Sequence, residues 1–292
     1  MFRRETIGTK LWLIFVYTFI ICVVLLMTLP FVNILAVSFS NNTAVLQGRV
    51  RFWPVDFSLV TYKQVFKESQ ILLGLRNTIL LTVVGTVINL TLTLLAAYPL
   101  SKSWLKGRSL ILTLITVTMV FGAGMIPGYM LVSNLKLLNS FWALWLPGAM
   151  STFNMIIMKS FIQSIPPSLE ESAQLDGASG FRILLQIIIP LSLPSIATIA
   201  LFYAVGWWNS YFNNMLYINT SRLTTLQIQL RDLLNMSNNN VFQTADTVDT
   251  ARIAEESVKA VSIVIATVPI LAVYPFLQKY FVKGVMVGSI KG

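Results

Sequence analysis

The chain has 292 residues, of which 55% are hydrophobic and 11% charged, with a formal net charge of +10. Soluble domains carry roughly 25% charged residues, so this composition, with a mean hydropathy of +0.74, describes an integral membrane protein and excludes an ordinary soluble enzyme. One cysteine, Cys22, and no histidine leave no disulfide framework or thiolate metal site, and remove the commonest metal ligand and the commonest general base. The basic excess contains no dense Lys/Arg run and is the loop bias of membrane proteins rather than a nucleic-acid surface.

A spanning helix needs about 20 mostly apolar residues. Charge-poor runs predict an all-α polytopic fold, a single transmembrane domain over 1–292. Its six spans lie near 11–39, 72–100, 109–133, 140–160, 183–217 and 258–279. The first follows Arg3, Arg4 and Lys10 but is too long for a signal peptide and lacks a small-residue cleavage site, so it is predicted to stay. Trp53-Pro54 in the next loop suits a membrane interface. Span two carries Thr82, Thr86, Asn89, Thr91 and Thr93, either as hydrogen bonds between helices or as ligand contacts. Gly122, Gly124, Pro127 and Gly128 interrupt span three. Broken backbone at membrane depth is tolerated where protein or a watery cavity satisfies it, so this is a kink at a helix crossing or a pathway wall.

Asn139-Ser140 marks the next turn and Pro166-Pro167 stops span four. Span five is longer than one crossing needs and ends in GWWNSYFNN, Gly206–Asn214. Trp207, Trp208, Asn209, Tyr211 and Asn213 there are either an interfacial aromatic belt or sugar contacts, since aromatic faces stack on sugars and Asn pairs with hydroxyls. A polar loop, helical near 224–234, leads to span six. With an even number of spans, both termini share one side. If that side is cytoplasmic, the inner segments are short and hold 11 of the 21 basic residues, which favours N-in and C-in. All eleven acids fall in loops. A carrier coupled to protons or sodium usually keeps an ionisable group inside the membrane, so a stand-alone secondary carrier or channel is the weaker reading, and a membrane enzyme weaker still.

The segment 166–182 is not made for lipid. Ser168 with Glu171 three residues later reads as a capping box. Glu170 and Glu171 stand where the helix dipole favours negative charge, and Gly177 suits the left-handed stop. A two-turn helix is unstable alone. With small Ser172, Ala173 and Ala178 and no Lys or aromatic stripe, it is predicted to be gripped by a protein partner rather than by lipid. Ser179 is placed to cap the helix that follows, which Pro190 and Pro194 kink.

Glu171-Ser172-Ala173, three residues, Gly177, nine residues, then Ile187-x-Ile189-Pro190 resembles the EAA signature of binding-protein-dependent ABC importer permeases. Ser172 and Ile189 depart mildly from that pattern. GMIPGYMLVSNLKLLNSFWALWLPG, LFYAVGWWNSYFNN and the end YFVKGVMVGSIKG are similar to the carbohydrate, maltose-type inner permease subfamily. Details are similar to permeases for pectin- or alginate-type oligosaccharides.

The resemblance implies a type I ABC importer fold in a bacterial inner membrane. It implies a second permease, two ATPase subunits, an extracytoplasmic solute-binding protein and a saccharide substrate as partners, with the bilayer around them and no nucleic acid. ATP and Mg would be bound by the ATPase, and no cofactor by this chain, which has no phosphate-binding G-x-x-x-x-G-K-[ST] loop. The coupling residues it implies are Glu170, Glu171, Ser172, Ala173, Asp176, Gly177, Ala178 and Ser179. The tail 280–292 would reach the ATPases through Val287, Gly288, Ser289, Ile290, Lys291 and Gly292. Asn89, Gly122, Gly124, Trp207, Trp208, Asn209, Tyr211 and Asn213 are the candidate substrate pathway.

Overall fold

A computed structural model describes residues 7–68, 70–238 and 255–289. Every regular element among them is helical. In chain order these are α1 (Ile7–Ser38), α2 (Asn42–Leu46), α3 (Val60–Glu68), α4 (Ile71–Ser101), α5 (Arg108–Val120), α6 (Met125–Asn134), α7 (Trp142–Trp145), α8 (Thr152–Gln163), α9 (Pro167–Leu175), α10 (Gly180–Ile183), α11 (Ile189–Leu191), α12 (Leu193–Trp208), α13 (Phe212–Tyr217), α14 (Leu226–Asn238) and α15 (Glu255–Ser289). A π-turn, Leu184–Ile188, joins α10 to α11, and a 3₁₀ turn, Ser221–Leu223, precedes α14. The chain divides into two compact units. One comprises residues 1–70 and 230–268, and the other residues 71–229 and 269–292.

In the first unit, α1 is apolar on every side and most of its large side chains are exposed. Such a helix has no aqueous face and is a lipid-facing span. The chain leaving it is tied down by short polar bonds. The Ser40 hydroxyl donates to the Ala36 carbonyl (2.6 Å) and accepts from the Val55 amide (3.0 Å). Asn41 caps α2, accepting from the Thr43 amide at 3.1 Å. Phe39 stacks on both Phe57 and Tyr62.

The second unit is organised around α4, which packs along α12 and α8. The buried side of α4 sets Gly74, Asn77, Thr78, Gly85, Asn89, Thr93 and Ala97, small or neutral polar residues at helical spacing, among the aliphatic Ile71, Leu81, Leu94 and Leu100. Its outward residues, among them Leu72, Ile79, Val83, Val87 and Leu95, are apolar. Helices in lipid gain nothing from hiding aliphatic surface, so they hide small and hydrogen-bonding residues instead. Thr93 and Tyr203 of α12 share a hydroxyl–hydroxyl bond (2.8 Å), and the Tyr203 hydroxyl also accepts from the Ser151 amide (3.0 Å). Around these bonds pack Met155, Met158, Ile162, Ile188 and Ile199.

Three single helices are long and apolar enough to cross a membrane: Gly8–Ser38 within α1, α4 itself, and Glu255–Val273 within α15. Two bent pairs raise the number to five, so three predicted spans need correction. The third is α5 and α6, set at 111° to one another about residues 121–124, with Gly124 at φ +82°. The fourth is α7 and α8, separated at Leu146-Pro147-Gly148 because Pro147 and Gly148 are poor helix continuers. The fifth ends at Trp208 rather than 217. It bends by 83° between Leu191 and Leu193, where Pro190 and Pro194 flank Ser192 and the π-turn precedes them. The polar helix expected near 224–234 is α14.

Candidate functional site

The loop singled out in the sequence forms α9 and hangs from the Ser101 end of α4. The start of α9 corrects the sequence reading. Pro166 is the N-cap, Pro167 occupies the first turn, and no side chain caps the helix. Proline's fixed φ suits the first helical position and it has no amide to leave unsatisfied, so Ser168 lies inside the helix and makes no capping box. The far end agrees with expectation. Gly177 has φ +78°, its amide donates to the Gln174 carbonyl (3.0 Å), and the Ala178 amide reaches back to Ala173 (2.9 Å). This is a Schellman stop. Nothing lies within 4 Å of where a Cβ on Gly177 would stand, so the backbone angle alone demands glycine there. Ser179 caps α10, accepting from the Arg182 amide at 3.4 Å.

The two faces of α9 differ. Ala173 and Ala178 pack on the core beneath, and Glu170 is 8% exposed, the one buried charged residue among the described residues. Its carboxylate pairs with the Lys102 ammonium, just past α4, with side-chain exposures of 15% for Lys102 and 11% for Glu170. The same ammonium sits over the Tyr98 ring, 4.7 Å from its centre, a cation–π contact. Nearby, Gln163 donates to the Ser101 carbonyl (3.1 Å) and Arg108 to the Leu100 carbonyl (2.9 Å). These bonds satisfy acceptors that the last turn of α4 cannot satisfy within the helix. On the outer face, Leu175 is 90% exposed, Leu169 and Phe181 are exposed too, and so are Glu171, Ser172 and Asp176. The Ser172 hydroxyl is taken by its own helix, donating to the Ser168 carbonyl at 2.9 Å. Lys102 and Tyr98 were not anticipated; a lysine ending a charge-free run was the available signal.

The candidate pathway residues do not converge on one cavity. Asn89 and Trp207 meet each other. The indole donates to the Asn89 carbonyl oxygen (2.7 Å), and the Asn89 amide donates to the Gly148 carbonyl. The ring lies between two glycines: a Cβ on Gly85 would fall 2.6 Å from it and one on Gly148 3.0 Å. Gly122 and Gly124 are exposed in the break between α5 and α6, and Asn209 and Asn213 are exposed beyond α12. The Tyr211 hydroxyl contacts the Met215 sulfur (3.2 Å). Buried Asn214, missed in the sequence, donates to the Ser210 carbonyl. A cavity of about 820 Å³ lies between α4, α12 and α15, lined by Thr82, Thr86, Phe202 and Pro269 among others. Of the candidate pathway residues only Trp208 reaches it. Val287, Gly288 and Ser289 end α15, while Ile290, Lys291 and Gly292 lie outside the described residues.

A bundle of apolar helices closed on a polar stripe, with one short polar helix presented at its end, is the build of a membrane permease. Residues 13–287 match the family described as "Binding-protein-dependent transport system inner membrane component", and the chain belongs to that family. It is 47% identical over 264 residues to Protein LplC of Bacillus subtilis (strain 168), covering 90% of this chain and 89% of that protein. It is 41% identical to the polygalacturonan/rhamnogalacturonan transport system permease protein YtcP of the same organism, covering 97% and 99%. Among solved structures, the crystal structure of a bacterial ABC transporter involved in import of the acidic polysaccharide alginate contains a similar chain. That chain is 31% identical, with a TM-score of 0.87 and coverage of 96% of this chain and 100% of that one. This likeness assigns the type I ABC permease fold.

Proposed function

We propose that this chain is one permease subunit of an ATP-driven importer that receives an acidic oligosaccharide from a solute-binding protein. In this reading the chain crosses the membrane six times, with both termini and α9 in the cytoplasm. The fourth crossing is built from α7 and α8 together. A second permease completes the pathway, and two ATPase subunits bind and hydrolyse ATP with Mg. This chain performs no chemistry of its own. Closure of the ATPases draws the docking helices together and opens the pathway outward. The tail from Val287 reaches between the ATPases.

One observation carries the reading: α9 is stopped at both ends, anchored by its inner face, and bare on its outer face, where Leu169 and Leu175 stand exposed beside Glu171 and Asp176. A short helix whose apolar side chains face away from its own protein, and which lacks basic residues for lipid headgroups, suits a protein cleft. The acidic substrate is favoured by the names of the relatives, which concern polygalacturonan and alginate. Charge agrees. Between residues 71 and 229 the only acids are Glu170, Glu171 and Asp176, all at α9, while Arg76 lies in the first turns of α4, Arg222 is bonded there through its carbonyl to Asn77, and Lys136 adjoins Leu137, which packs in the cluster with Leu81. Cations there would draw a polyanion in.

The test is ATP hydrolysis by the reconstituted complex, with the binding protein offered galacturonate, alginate and neutral oligosaccharides in turn. Stimulation by a uronate oligomer and not by its neutral counterpart is the expected result. Stimulation by neutral sugars alone would remove the acidic substrate, and stimulation by none would remove the importer.

A further inference from the structure

We infer that Glu170, Lys102 and Tyr98 form a strut that carries movement of α9 into α4, so that Glu170 and Lys102 are positioning residues for transport. The inference rests on reading α9 as the ATPase docking helix.

Three observations lead to it. Glu170 is adjacent in sequence to Glu171, yet the two point to different tasks: Glu171 is exposed, while the Glu170 carboxylate is buried and occupied by Lys102. A carboxylate so engaged is not available to a partner. The Lys102–Glu170 pair is also the one ion pair joining separate elements among the described residues, since Lys259–Glu255 lies within α15. Finally, the ammonium also lies over the Tyr98 ring, one turn inside α4, so a pull on Glu170 acts on the helix and not on a loose side chain.

The consequence lies further along α4. Chain connectivity joins α9 to α10 and so to α12, and the strut joins it to α4. Those two helices hold the Asn89–Trp207 and Thr93–Tyr203 bonds between them. With the strut intact, displacement of α9 moves both. With the strut cut, α12 follows directly while α4 is reached only through the Gln163–Ser101 bond and core packing, so less of the displacement reaches α4 and the bonds between the two helices are strained. Energetic coupling of this kind travels through packed helices and polar contacts with two arrangements.

The experiment uses the complete reconstituted complex in a Cys22→Ser background, reading basal ATPase, binding-protein-stimulated ATPase, uptake, and disulfide cross-linking of Leu175→Cys to a cysteine in the ATPase cleft. The expected result for Lys102→Met is that the cross-link and basal hydrolysis persist. The ratio of stimulated to basal ATPase and the uptake should each fall about tenfold. Lys102→Arg, which keeps the charge and the ring contact, should retain most of both. A wild-type ratio in Lys102→Met overturns the strut. Where Lys102→Met fails to assemble, the double variant Lys102→Met with Glu170→Met, which leaves no buried charge unpaired, decides: a collapsed ratio supports the strut, and a wild-type ratio overturns it. Absence of the cross-link with Lys102 and Glu170 intact overturns the docking reading instead, whatever the ratios.

Discussion

The two ends of α4 are fastened by different chemistry. At the Ile71 end, the Asn77 amide donates to the carbonyls of Arg222 and Thr224 (2.9 Å each), and the Thr78 hydroxyl accepts from the Leu226 amide (2.8 Å). All three partners are backbone. At the Ser101 end, the link to α9 is side chain to side chain, an ammonium that contacts both a carboxylate and a ring. A neutral bond to backbone fixes one short-range geometry. A charge pair on two long stems keeps its attraction as the stems swing, because Coulomb energy falls slowly with distance where water is scarce. The first fastening suits elements that stay together, and the second suits elements that shift yet must stay connected.

The comparison can be broken most severely at the charged end. Lys102→Met leaves a buried carboxylate unpaired and should lower stability by about 3 kcal/mol, read as a fall in thermal unfolding temperature in detergent. The double variant Lys102→Met with Glu170→Met removes both charges and should recover most of that stability while transport stays low, which separates holding from transmitting. At the neutral end, Thr78→Val keeps the shape but strands the Leu226 amide. It should lower stability by about 1.5 kcal/mol and leave the stimulated-to-basal ATPase ratio unchanged. A changed ratio would mean that both ends transmit. The smallest effect is expected at Ser168→Ala, within about 0.5 kcal/mol of wild type, since that hydroxyl caps nothing. A loss near 1 kcal/mol, as for a working cap, would restore the capping box that the structure replaces with Pro166-Pro167.

Long apolar runs were readable because a single physical demand, crossing hydrocarbon as one helix, writes itself into 20 consecutive residues. α1, α4 and α15 were located that way. α5 to α8 were harder, since Pro147 and Gly148 carry no local signal strong enough to outvote the apolar residues around them. In the loop, Gly177 was legible because a positive φ selects glycine directly, whereas Ser168 misled because serine and proline both open helices and proline prevailed here. The partners were invisible. Lys102 and Glu170 are 68 residues apart and Asn89 and Trp207 are 118 apart, and no spacing rule spans such distances.

The close approach of Trp207 to Gly85 has a consequence for descent. A methyl group at position 85 would stand 2.6 Å from the indole, closer than real Cβ contacts, so position 85 can gain a side chain only after position 207 has lost bulk. The two residues, 122 positions apart in the chain, are therefore tied to one order of change. A tryptophan at 207 thus holds position 85 to glycine, and only its replacement by a smaller side chain would release that position to alanine or serine.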